Sequence, residues 1–79
     1  MPYSLFMAET DFLKLLGRRI VELRKARGMK QIDLATKLEM EDSSLRRIES
    51  GRINSTIGML KKISEGFDIS LSELLNFKY

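Results

Sequence analysis

Residues 31–51 constrain this chain more than any other stretch. They read QIDLATKL, a short break EME, then DSSLRRIES closed by Gly51. Leu34, Ala35 and Leu38 fall on one side of a helical wheel, and Leu45 and Ile48 do the same in the segment that follows. Two helices of that size, joined that closely, form a helix-turn-helix unit. Ala35 suits the arrangement, because a small side chain lets the next helix approach closely.

The rest of the chain reads as helices around that pair. From residue 12 to 27, apolar side chains at Phe12, Leu16, Ile20 and Leu23 keep nearly a 3.6-residue repeat, and bases cover much of the remaining surface. Gly28 is a natural left-handed stop, with Lys25 and Arg27 in the last turn, where the helix dipole favours cations. A second helix is expected over about 31–38, with Asp33 and Lys37 in the favourable i, i+4 order. A third covers about 42–50. Thr56 or Ser55 caps a fourth, whose apolar face is Ile57, Leu60, Ile63 and Phe67. Ser70 opens a short fifth, with Glu73 completing a capping box and Leu71, Leu74 and Leu75 as its contacts. The expected fold is all-α, a compact five-helix bundle occupying residues 12–79. Residues 1–11 show no periodicity and read as a tail, within which Met7 is an alternative start to Met1.

Composition removes several functions. The chain has 79 residues, room for one domain, and neither cysteine nor histidine. Disulfides, Cys/His metal clusters and Ser-His catalysis are therefore excluded. No nucleophile–base pair can be built, so the expectation is no enzyme, no cofactor and no metal. No apolar run approaches a membrane span and no secretion signal opens the chain, which points to a cytoplasmic protein. Charge is uneven. Residues 12–30 hold seven bases against one acid, Glu22, a net of +6, whereas residues 31–55 are at −1. A basic first helix either attracts phosphate or is simply a solvated face, and on charge alone the second reading is favoured.

The third helix carries more. With Leu45 and Ile48 inward, Ser43 and Ser50 lie nearly opposite, Arg46 and Arg47 flank them, and Asp42, Ser44 and Glu49 fall at the boundary. Small hydroxyls beside two guanidiniums suit a DNA major groove: serine permits close approach, and arginine pairs with guanine O6 and N7. The plainer alternative leaves both arginines as solvated surface.

With the spacing around it, the stretch from residue 16 to 75 resembles the Cro/phage-repressor (XRE-type) helix-turn-helix family, a lambda-repressor-like fold. The resemblance rests on Arg24, Gly28, Gln31, Leu34-Ala35, Leu38, Leu45, Ile48-Glu49, Gly51, Leu60, Ile63, Phe67, Ile69, Leu71 and Leu74-Leu75. Gln-x-x-Leu-Ala followed by Ile-Glu-x-Gly is specific, while either piece alone is weak. The resemblance implies a DNA-binding transcriptional regulator. It implies base contacts from Asp42, Ser43 and Arg47, with Arg46 between them on bases or backbone. It implies phosphate contacts from Gln31, Arg52, Asn54 and Ser55, and a structural ion pair between Arg24 and Glu49.

Three departures stand out. Glu39 replaces the usual turn glycine, so either it accepts a left-handed backbone or the turn changes shape. Glu41 replaces the usual small N-cap, which leaves Asp42 either to cap the helix one residue late or to accept from cytosine N4; capping is favoured. Ser55 stands where the family's loop has proline.

The expected partner is double-stranded DNA, bound by a homodimer through the fifth helix and the C-terminal tail. Phe77 and Tyr79 would contribute there, or else pack on their own core. A different class remains: an antitoxin that holds a toxin partner, with the PYSLFM segment as a docking tail. The controller of a restriction–modification system is a further regulator reading.

Overall fold

The computed structural model describes residues 9–78. Five helices follow one another: α1 (Glu9–Ala26), α2 (Gln31–Lys37), α3 (Asp42–Glu49), α4 (Ile57–Gly66) and α5 (Leu71–Leu74), with no strand among the described residues. The all-α expectation holds. The possible start at Met7, the PYSLFM segment and Tyr79 lie outside the described residues. α1 begins at Glu9, ahead of the expected Phe12, which places Asp11 in a first turn whose dipole favours acids.

One core gathers the apolar faces. Leu16 and Ile20 from α1, Leu34 and Ala35 from α2, Leu38, Leu45 and Ile48, Leu60, Ile63 and Phe67, and Leu74 from α5 are all buried in it. Ile57 is not: expected on the apolar face of α4, it is 67% exposed. It occupies the first position of that helix, one turn before Leu60, the first α4 side chain to enter the core. Phe77 is half-buried with its ring centre 5.5 Å from that of Phe12, so it packs within its own chain.

The helices stop by a common device. After α1, α2, α3 and α4 come Gly28, Glu39, Gly51 and Asp68, all with positive φ between 55° and 76°. Each donates its N–H back to the closing turn, and the next residue reaches one carbonyl further, as in Met29 N to Arg24 O at 3.0 Å and Met40 N to Ala35 O at 3.0 Å. Glu39 thus takes the left-handed backbone, and the turn keeps its shape. Starts are local too: Thr56 Oγ1 accepts from Met59 N and Ser70 Oγ from Glu73 N, both at 3.1 Å.

Two arginines, Arg19 on α1 and Arg27 just after it, seal the ends of other helices. Arg27 donates to the Phe67 carbonyl at 3.1 Å and lies over the Phe67 ring, 5.1 Å from its centre. Arg19 donates to the Glu73 and Leu74 carbonyls at 2.8 and 3.3 Å. Both cations sit where a helix dipole is negative. Two of the seven bases of residues 12–30 are therefore internal braces, a third outcome beside phosphate attraction and solvated surface.

α1 meets α3 through Gly17. A Cβ there would overlap the Glu49 carbonyl oxygen and sit 2.8 Å from that of Ile48. Helix propensity alone favours Gly17→Ala by about 0.8–1 kcal/mol. Backbone crowding opposes it, and we expect a net loss of about 1–3 kcal/mol in urea denaturation; a stabilised variant would show that α1 and α3 separate freely. Glu39→Gly should act in the other sense. Relief of the left-handed backbone, about 1–2 kcal/mol, exceeds the entropy that glycine adds to the unfolded chain, about 0.5–1 kcal/mol. A thermal midpoint higher by a few degrees is expected.

Candidate nucleic-acid interface

α3 is positioned from behind by polar contacts. Arg24 Nε and Nη2 donate to the two carboxylate oxygens of Glu49 at 2.9 and 3.1 Å, and Arg24 Nη1 reaches the Met29 carbonyl at 3.0 Å. Gln31 Nε2 donates to Glu49 Oε1 at 2.8 Å. The pair is deeply buried, with the Glu49 side chain only 5% exposed. One carboxylate therefore joins α1, α2 and α3. A buried ion pair of this kind is expensive to break from one side, because the remaining charge has no solvent. Glu49→Ala should cost about 3–5 kcal/mol in chemical denaturation, against about 1 kcal/mol for Gln31→Ala, which removes one hydrogen bond. Equal costs would mean that the charge is better hydrated than its burial indicates.

The front of α3 is open. Ser43, Arg46, Arg47 and Ser50 line one concave surface, and Arg52 from the following loop completes it, enclosing about 250 Å³. Both α3 arginines, Ser50 and Arg52 are exposed, and Ser43 is half-buried. The Ser50 hydroxyl donates to the Arg47 carbonyl at 3.1 Å, so it is partly committed to its own helix. The three guanidiniums make this end of the helix strongly cationic. The acids gather at the other end: Glu39 and Glu41 in the turn, and Asp42 in the first helical position.

Asp42 does not cap α3. The cap is Glu41, extended at φ −72° and ψ 144°, with no hydrogen bond from its side chain. Asp42 is already helical and contacts Arg46 across one turn at 3.5 Å, with both side chains about half exposed or more. A β-region residue is needed just before the helix, and position 41 supplies it whatever its side chain. Asp42 is thereby left on the surface beside Arg46.

The sites expected in the loop divide. Asn54 is exposed, and it borders a second groove beside Ser55 and not the arginine surface that Arg52 completes. Ser55 is different: its Oγ is buried with no hydrogen-bond partner. In this conformation the Ser55 hydroxyl is not presented to a phosphate. The residue itself borders an apolar groove of about 310 Å³ that Met40, Ile48, Ile53 and Met59 also line. Gln31 is half-buried and held by Glu49, and it does not line the arginine surface. Sequence reasoning missed Gly17 and the capping by Arg19 and Arg27. A glycine inside an otherwise good helix was the available sign for the first; nothing local marked the others, whose partners lie 40 or more positions away.

Comparison with known proteins agrees with this geometry. A family model described as helix-turn-helix matches residues 20–74. The chain is 37% identical over 65 residues to the HTH-type transcriptional regulator SinR of Bacillus licheniformis, covering 81% of this chain but 59% of that relative's length. Among solved structures, it is similar to the restriction-modification controller protein C.AhdI from Aeromonas hydrophila. The TM-score there is 0.74 at 33% identity, covering 81% of this chain and 96% of that one. It is also similar to the controller protein C.Esp1396I, solved as a tetramer in complex with its natural 35 base-pair operator. That comparison gives a TM-score of 0.72 at 31% identity, over 81% of this chain and 88% of the other.

Proposed function

We propose, for a chain that belongs to the helix-turn-helix family of Cro/phage-repressor (XRE) type, that it is a DNA-binding regulator of transcription whose α3 enters the major groove of a specific operator. The observation that carries this reading is the shared open surface of Ser43, Arg46, Arg47, Ser50 and Arg52. Serines at the centre let the helix backbone approach the base edges, and Arg47 extends beside them to read guanine. Arg46 is drawn toward Asp42 and serves bases or backbone nearby. Asp42, uncapped and exposed, is available to accept from cytosine N4. Arg52 and Asn54 follow the helix and hold phosphates, while Gln31 approaches the backbone from the start of α2.

A single copy offers a small interface, so the protein works as a homodimer on a two-fold operator with half-sites about 34 Å apart. The proposed pairing surface is α5, where Leu71 and Leu75 remain half-exposed. Phe77 contributes little there, because Phe12 already covers it. The controller role is the more specific form of this reading: the chain spans 96% and 88% of the two controller proteins, against 59% of SinR.

Selection of bound duplexes from a random library, at stated salt, tests the proposal directly. Arg47→Ala should leave the fold intact and relax preference at one base pair by about 1–3 kcal/mol; unchanged selectivity removes Arg47 from base reading. Arg52→Ala should weaken binding to all sequences and lower the salt slope by about 0.9. A slope that does not move excludes Arg52 from the interface.

A further inference from the structure

The bases of α1 and of the turn after it differ in what they face. Arg24 is buried against Glu49, and Arg19 and Arg27 lie on the carbonyls that end α5 and α4. Lys14 and Arg18 do neither: both are exposed, and their i, i+4 spacing sets them on one side of α1. Backbone contact fixes where that side lies. A Cβ on Gly51 would come within 2.8 Å of the Lys14 Cα and N and 2.9 Å of its Cγ, so α1 crosses against Gly51 at this residue. Gly51 stands between Ser50 and Arg52, and both of those line the arginine surface. One turn along, Gly17 packs on the Ile48 and Glu49 carbonyls, so α1 runs beside the C-terminal end of α3 over a full turn.

We infer that Lys14 and Arg18 extend the phosphate-binding surface from Arg52 onto α1, where they hold the duplex backbone bordering the groove that α3 enters. The inference rests on the DNA-binding reading above and adds two contacts to it. Their chemistry is that of point cations on phosphate oxygens: affinity without base preference. The bare Gly51 lets α1 approach this closely, since a Cβ there would overlap the Lys14 backbone. This is a second reason, besides its φ of 76°, for glycine at that position.

The test compares salt dependence of binding to a selected operator and to a random-sequence duplex of equal length. Lys14→Gln combined with Arg18→Gln should lower the slope of log K against log salt by about 1.8 on both duplexes. Between 50 and 200 mM salt, the variant should then lose roughly tenfold less affinity than the intact protein. Lys62→Gln, an exposed base on α4, is the control for net charge and should leave the slope unchanged. An unaltered slope in the double variant, with Arg52→Ala still lowering it, overturns the inference and leaves the DNA-binding reading standing. An equal drop in the Lys62 variant also overturns it, because general charge would then suffice. If the thermal midpoint falls while the slope holds, the two bases serve the C-terminal dipole of α3 instead. Failure of the intact protein to bind either duplex in dilute buffer removes the parent reading, and this one with it.

Discussion

Everything about the front of α3 depends on the carboxylate behind it. Glu49 receives two bonds from Arg24 and one from Gln31, and so ties three helices at a single buried point. A charge in that position has no tolerance for misplacement, since any helix that slips leaves it unpaired in a low-dielectric setting. Apolar packing alone permits sliding and rotation by small amounts. The bidentate arginine does not, because its fork fixes both distance and orientation. The outward residues inherit this rigidity: Ser43, Arg46 and Arg47 are held by a helix whose roll is set from the opposite side. Preorganisation of this kind removes part of the entropy loss on binding.

Much of the fold was legible because its signals are local. The stops at Gly28 and Gly51, the caps Thr56 and Ser70, and the apolar spacings of α2 and α3 each lie within a few residues of the feature they produce. The site was legible for the same reason: an eight-residue helix with Leu45 and Ile48 inward leaves few places for its other side chains. What the sequence hid depends on distance along the chain. Arg19 and Arg27 look identical to Lys14 and Arg18 in a charge count, and only the folded path shows that the first two meet carbonyls of α4 and α5. Ile57 has the correct spacing for a core residue, yet at the first position of α4 it is left exposed while Met59 and Leu60 turn toward the core. Asp42 looked like the better cap by residue type, but backbone conformation at Glu41 decided the start.

The distribution of charge is also clearer in three dimensions. Acids at Glu39, Glu41 and Asp42 collect at the beginning of α3, and Arg46, Arg47 and Arg52 toward its end. On the proposed reading the acids would stand where α3 enters the groove, an unusual order for contact with a polyanion; a carboxylate there would match donors such as cytosine N4 and reject acceptors.

The brevity of α3 carries a last consequence. Eight residues rise only about 12 Å, the length of three or four base pairs at about 3.4 Å each. Four letters distinguish about 256 words, far too few to single out one address among the competing sites of a genome. For the operator reading proposed above, copies side by side would multiply the vocabulary, and a reading head this small would need assembly on the duplex for its information content, quite apart from affinity.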